Sequence, residues 1–331
     1  MINLDMNENY LSSIIESPNS ELQRTYPRFE EERLLDAISK LHCVPKGNLF
    51  LTNGIDEGIL LFLQFIQKNN KCLYLDSPNY CGVFEAIGAL GINAKTKTNN
   101  RFNSYYETFK KRITEDNDIG AVYFCSPMNP IGAQIDKLAD CVKLCLERKI
   151  IVFLDQAYAE FCDPSFQLAK ALNDGCLIIG RTFSKAYGLA GIRCGYIATS
   201  NQPFLEYLSA IHQATPFRFS ADTLHIAYNA INNQNRLKKA IHEIKNAKND
   251  FYDFLDCIGL EYYKTETNFV PIKVGQHKAC FLSFSEKNGM AFADLSTFKL
   301  PDYIRITIGT KKHMEKVCNI ISMFFGEELR S

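Results

Sequence analysis

Lys185 stands in the segment RTFSKAYGLAGIRCGY (residues 181–196), directly after the apolar run CLIIG. Ser184 precedes it, three glycines follow within the segment, and Arg193 lies eight positions on. A lysine at a strand end, facing a ligand crevice, becomes an amine nucleophile once its surroundings suppress its charge. Glycine-rich backbone and Ser184 beside it can wrap an anion, and Arg193 can pair with that anion. Asp155 closes the run IIVFLDQAY, apolar enough that a carboxylate there needs a cationic or protonated partner. Taken singly, these features read equally well as a surface lysine, a glycine-rich turn and a strand-end acid.

Together they make three demands: a carbonyl for the lysine, an anion for the arginine and a cation for the aspartate. An aldehyde cofactor with a phosphate and a pyridinium nitrogen meets all three. Pyridoxal 5′-phosphate is such a group: Lys185 would form the Schiff base, Asp155 would keep the ring nitrogen protonated, and Arg193 would meet the phosphate.

Such residues need elements to hold them. Short apolar runs alternate with amphipathic stretches: NLFLTNG before IDEGILLFLQFIQ, KCLYLDSP before NYCGVFEAIGALG, GAVYFCSP before KLADCVKLCLERK, then IIVFLDQAY and CLIIGRTFS. This alternation predicts an α/β chain whose mostly parallel sheet is covered by helices on both faces. Ligands in such sheets gather at the carboxyl ends of the strands, where Asn53, Tyr80, Asn129, Asp155 and Lys185 fall. After about residue 225 the texture changes. A long charged helix (NRLKKAIHEIKNAKNDFYDFLDCIG) precedes NFVPIKV, ACFLSFSEKNG and DYIRITIGT, read as strands, and a closing helix, KKHMEKVCNIISMFFGEEL. The expected division is an N-terminal arm (1–24, with the linker-like SPNS), a large cofactor-binding domain (25–225) and a smaller α+β domain (226–331).

Composition excludes several classes. Lys+Arg and Asp+Glu both number 37, which argues against a nucleic-acid footprint or a polybasic membrane patch. No apolar run reaches the roughly 20 residues of a membrane span, and MINLDMNENY does not read as a signal peptide. The twelve cysteines include no C-x-x-C, and Cys141 and Cys145, at i, i+4, read as a buried helix face rather than a metal site. Twelve such thiols point to a reducing cytoplasm. The six histidines show no ligand spacing, so no metal is expected.

The lysine segment SKAYGLAGIRCGY resembles that of the fold-type I (class I and II) aminotransferases, most closely the histidinol-phosphate aminotransferase branch. Seven more segments fall in the family's order: NEN, RTYP, TNGIDEGI, SPNYCGVF, SPMNPIG, LDQAYAEF and LPDYIRITIGT. The resemblance implies that Lys185 is the Schiff-base lysine and proton shuttle and that Asp155 partners the pyridinium. Asn129 and Tyr158 would bond the ring's O3′, and Tyr80 would stack on the ring. The backbone of Ile55 and Asp56 would bind the phosphate with Thr182, Ser184 and Arg193, a helix N-terminus suiting that anion. It further implies that Tyr26 reaches the phosphate of a neighbouring subunit, hence a homodimer with shared sites. Arg305 would take the substrate's anionic group, with Asn7 beside the substrate.

This sequence also departs from that pattern. The histidinol-phosphate enzymes carry a second arginine shortly before the Arg305 position, and Ala293 stands in that place. The arm is short, without the usual substrate-facing tyrosine. Arg218, in TPFRFSADT, adds a positive charge that the pattern does not require; it reads either as a replacement anion ligand or as a surface or interface ion-pair residue. The expected activity is transfer of an amino group between a donor such as glutamate and a small polar or phosphorylated carbonyl compound. A (phospho)amino-acid decarboxylase on the same fold is the alternative. A cofactor-binding regulator would need an added DNA-binding domain, for which this chain leaves no room.

Overall fold

The computed structural model describes residues 2–9, 26–98, 105–162, 168, 172 and 175–326. The SPNS stretch and the expected arm boundary at residue 24 lie outside the described residues. In chain order the described strands are β1 (Ile2–Asn3), β2 (Leu49–Thr52), β3 (Cys72–Ser77), β4 (Ala94–Thr98), β5 (Ile119–Cys125) and β6 (Ile151–Asp155). They continue with β7 (Leu177–Thr182), β8 (Gly195–Thr199), β9 (Phe269–Lys273), β10 (Met290–Ala291), β11 (Ala293–Asp294) and β12 (Tyr303–Thr307).

Strands β2 to β8 form one seven-stranded sheet in the order β2-β8-β7-β6-β5-β3-β4. The pairs from β4 through β7 are parallel, whereas β8 runs antiparallel to both β7 and β2. The fold is therefore the mostly parallel α/β sheet that the alternating pattern predicts. Strands β3, β6 and β7 are buried at every position, which is why they read as unbroken apolar runs rather than alternating ones. Successive residues feed opposite faces: Val152 and Leu154 join the core on one side, Ile151 and Phe153 the core on the other. Cys141 and Cys145 are fully buried on the helix Leu138–Glu147, as their spacing indicated.

The C-terminal part builds a second sheet, β11-β12-β9, antiparallel throughout. Its core gathers Phe251, Val270, Ile272, Phe281, Ile304, Ile306 and Val317. Leu4 belongs to this core, and β1 pairs in parallel with β10, so the start of the chain is stitched to its end.

One expectation fails here. ACFLSFSEKNG forms the helix Lys278–Lys287 and not a strand. Phe281 and Ser285, four residues apart, are its buried positions, and Gly289 at φ +76° turns the chain just past its end. The alternation in FLSFS imitates a strand over five residues only. The reading also passed over β4, partly exposed at the sheet edge, and β8, hidden in the glycine-rich loop's continuation CGYIATS.

The loop 265–267 joins the two sheets. Lys248, buried on the helix Gln234–Cys257, donates to the carbonyls of Thr265 (2.6 Å) and Thr267 (2.8 Å). Glu266 N–H donates to the Gly132 carbonyl (2.8 Å). Gly132 has φ +80°, and a Cβ there would stand 2.5 Å from the Thr265 side chain, so only glycine permits this approach. Asn129, three residues earlier, is thereby held against the C-terminal sheet.

Candidate active site

The carboxyl ends of β5, β6 and β7 open into a cleft. Ten of the residues singled out from sequence line it: Ile55, Asp56, Tyr80, Asn129, Asp155, Tyr158, Thr182, Ser184, Lys185 and Arg193. They come from strand ends and the loops after them, as expected for an open α/β sheet.

Asp155 ends β6 and is 2% exposed. Its carboxylate accepts the Tyr123 hydroxyl (2.6 Å) and the Ala157 N–H (2.9 Å). Burial nevertheless dominates and raises its pKa to about 6. A carboxyl so perturbed at the floor of a cleft is poised for a cationic partner. Lys185 is perturbed in the opposite sense. Burial, and next the charge of Arg305, lower its pKa to about 8. Its Nζ donates to the Met6 carbonyl at 2.9 Å and lies 5.9 Å from the centre of the Tyr158 ring.

At the other end of the cleft the groups suit an anion. The helix Gly54–Lys68 begins there and presents its N-terminus. Arg193 donates to Asp56 (2.9 Å) and to the Ser184 hydroxyl (3.4 Å), and Thr182 and Ser184 bond each other. The Tyr80 hydroxyl donates to the same Asp56 carboxylate (2.9 Å). Gly54 has φ +74°, and a Cβ on it would fall 2.6 Å from the Arg193 guanidinium. Glycine at that position lets the guanidinium pack against the helix N-terminus, and the two together suit an anion such as a phosphate. The donor set thus fits pyridoxal phosphate: amine, buried carboxyl and anion cradle all face one space.

The other singled-out residues sit differently. Arg305, on β12, is buried behind Asn129: it donates to Asn129 Oδ1 (2.5 Å) and to the Asp5 carbonyl (2.7 Å), and its guanidinium lies over the Phe269 and Phe298 rings. Ala293 pairs directly with Arg305 across β11 and β12, so an arginine there would stand next to Arg305. Asn7 reaches Tyr158 and Thr307 rather than the cleft itself. Arg218 is absent from the cleft lining of this chain; it donates to Glu57 (2.6 Å) and to the Leu51 carbonyl (2.8 Å). Tyr26 is 74% exposed and stacks on Phe217 at 4.7 Å. The sequence reading missed Met6, Glu8, Cys125, Ala157 and Ala190 in the lining and Tyr123 under Asp155. For Glu8 the signal was present in the NEN motif; for Cys125 and Tyr123 it lay in the register of β5 on β6, which sequence does not display.

Among the described residues no cluster of His, Cys, Asp and Glu could hold a metal ion, and no helix is long and apolar enough to cross a membrane.

The chain as a whole is similar to known proteins. Residues 1–321 match the family model described as aminotransferase class I and II. A histidinol-phosphate aminotransferase of Methanococcoides burtonii is 30% identical over 304 residues, covering 90% of this chain and 81% of that protein. The solved histidinol-phosphate aminotransferase from Clostridium acetobutylicum shares the fold with a TM-score of 0.85 at 21% identity, covering 99% of this chain and 100% of that one. The enzyme from Sinorhizobium meliloti, solved in complex with pyridoxal-5′-phosphate, gives 0.80 at 19% identity over 97% and 91% of the two chains. This chain therefore belongs to the class I and II aminotransferases and is a pyridoxal-phosphate-dependent enzyme.

Proposed function

We propose that this aminotransferase moves an amino group from a donor such as glutamate to a small polar carbonyl compound, holding the substrate's carboxylate through Arg305. The observation that carries this reading is the single cleft in which Lys185, Asp155 and the Arg193 cradle converge, with Arg305 directly behind Asn129. When bound, pyridoxal phosphate supplies the aldehyde for the lysine and a ring that withdraws electrons from the substrate's Cα–H bond.

The chain's own residues account for the rest. Lys185, with its pKa lowered to about 8, has a substantial neutral fraction near neutral pH and can take and return a proton at Nζ. Asp155 would hold the ring nitrogen as a cation, which also relieves the desolvation of its own charge. Thr182, Ser184, Arg193 and the N–H groups of Ile55 and Asp56 would hold the phosphate. Asn129 and Tyr158 would bond the ring oxygen, and Tyr80 would cover one face. Where the related pattern has its second arginine this chain has Ala293, the residue paired with Arg305 across β11 and β12. That favours a substrate with one anionic group here over histidinol phosphate. Arg218, held by Glu57, supports the ion-pair reading of that residue.

We further infer a homodimer whose contact includes Tyr26, supported by its exposure beside Phe217, Arg28 and Phe29, the last 80% exposed. The twelve cysteines, none in a disulfide, support a reducing cytoplasm. A division into two domains is proposed on the two separate sheets and their separate cores, but with a later boundary than residue 225: that position lies inside the helix Ala221–Asn232, and Ala227, Ala230, Ile231 and Leu237 pack in the core of the larger sheet.

A spectral screen tests the function. Candidate amines are added singly to the holoenzyme, and conversion of the visible cofactor band to the near-ultraviolet band of its amine form identifies donors. Glutamate is expected to convert it, with release of a keto acid. Release of CO2 in its place would assign the chain to the decarboxylases.

A further inference from the structure

Asn7 is 1% exposed and has φ +56°, a left-handed backbone conformation uncommon outside glycine and best tolerated by asparagine. Its contacts show what holds it. Its backbone N–H donates to Thr307 Oγ1 (3.0 Å), and its carbonyl accepts the Asn268 amide (3.0 Å). Its side chain lies between Thr307 Oγ1 (3.2 Å) and the Tyr158 hydroxyl (2.9 Å). Thr307 is wholly buried and Tyr158 is 2% exposed, so water does not compete for these groups.

The directions of the protons follow by elimination. A backbone N–H can only donate, so Thr307 Oγ1 is the acceptor from Asn7 N–H. The Thr307 hydroxyl proton is then directed to an acceptor, and the side-chain oxygen of Asn7 is the one beside it. That fixes the amide's orientation: Oδ1 faces Thr307 and the NH2 group faces Tyr158. Tyr158 therefore accepts from Asn7, and its own proton is left to point elsewhere, into the cleft that its ring lines.

We propose that Asn7 is a positioning residue that sets the polarity of the Tyr158 hydroxyl, making it a fixed hydrogen-bond donor toward the cofactor's ring oxygen. The relay runs from β12, the strand that carries Arg305, through Thr307 and Asn7 to Tyr158. It assigns Asn7 to the tuning of the cofactor and not to substrate contact, and it rests on the pyridoxal-phosphate reading of the cleft.

The test is a pH titration of the visible cofactor band in substrate-free holoenzyme. A donor at the ring oxygen withdraws electron density and eases loss of the proton from the Lys185–cofactor linkage, so removing it raises the titration midpoint. Asn7→Gly keeps the left-handed backbone and deletes the amide; its midpoint is expected to rise by about one pH unit, toward that of Tyr158→Phe. Asn7→Asp, whose carboxylate takes up the Tyr158 proton, is expected to shift it at least as far. Thr307→Val breaks the relay one step earlier and should give a smaller shift in the same direction, whereas Thr307→Ser should keep the parental midpoint. Unchanged midpoints in Asn7→Gly and Asn7→Asp, with Tyr158→Phe shifted, would overturn the relay; a raised KM in those variants would then return Asn7 to substrate binding. An unshifted Tyr158→Phe would instead remove Tyr158 from the ring oxygen, and the relay with it.

Discussion

The two walls of the cleft are built on different principles. The wall from the seven-stranded sheet takes Asp155, Thr182, Ser184 and Lys185 from the ends of neighbouring strands, which are buried on both faces and cannot shift without disturbing the core. The opposite wall joins residues 5–9, the loop 265–268 and β12, and it coheres through single hydrogen bonds among Asp5, Asn7, Asn268, Arg305 and Thr307. Both walls rest on apolar cores, but the second adds polar contacts between residues far apart in the chain. The residues expected to hold the cofactor lie chiefly on the first wall; the second carries the expected substrate anchor, Arg305, together with the Asn7–Thr307 pair that bears on Tyr158.

The largest effect that could break this contrast is at Lys185. Lys185→Ala should lower kcat by at least about four orders of magnitude, since among the described residues lining the cleft no other lysine could replace it. Absorbance and dialysis should show cofactor still retained by the phosphate cradle. Near-normal turnover would dissolve the distinction between the walls.

The two arginines sharpen it next. Arg305→Ala should raise KM for a carboxylate substrate by about 100-fold, from loss of charge-assisted hydrogen bonds. Arg218→Ala should leave KM for every substrate nearly unchanged and lower the unfolding free energy by about 1–3 kcal/mol, because Glu57 and the Leu51 carbonyl lose their partner. Steady-state kinetics with mono- and dianionic substrates, alongside denaturant titration, separates the outcomes. A selective KM rise for dianions in Arg218→Ala would place that residue at a substrate site.

Legibility from sequence follows the same division. Lys185, Asp155 and Arg193 could be read because strand ends and a glycine-rich loop leave local marks. The bonds of Asn7 could not, since residues 7 and 307 are adjacent only after the chain closes on itself. The pairing of β1 with β10 spans two residues each and leaves no periodicity. Nor could Arg305's hold on Asn129 be read, although both residues were singled out. The helix Lys278–Lys287 was lost to a five-residue alternation that tertiary packing overrode.

A smaller test concerns the charge of the first wall. In the cofactor-free protein Asp155 titrates at about 6, above its ordinary value. Between about pH 4 and pH 6 the folded state therefore holds a proton that the unfolded chain has released. Unfolding free energy falls across that window as pH rises, by about 3 kcal/mol, and this component is flat above it. Urea titrations should show the decline, Asp155→Asn should remove it, and saturating cofactor should remove it by supplying a cation. A decline that persists in Asp155→Asn would assign it to other groups.

The smallest expected effect is at Tyr26. If it crosses to a partner's phosphate, Tyr26→Phe should weaken cofactor binding by about 1 kcal/mol, a typical hydrogen bond. Cofactor release measured by fluorescence, with sedimentation to follow assembly, checks this. Unaltered affinity in an intact dimer would confine Tyr26 to packing.

Lys248 has a consequence for reagents rather than for substrates. Among the described residues it and Lys185 are the two lysines whose pKa is lowered to about 8, in both cases chiefly by burial. Both would be nucleophilic at a pH where surface lysines remain protonated. Lys248, however, is 8% exposed and committed to two carbonyls, while Lys185 opens on the cleft. In the cofactor-free protein, limited acylation near pH 8 should thus divide the two by access, marking Lys185 early and Lys248 only when the loop 265–267 opens, which makes the second lysine a built-in reporter of how firmly the two sheets are joined.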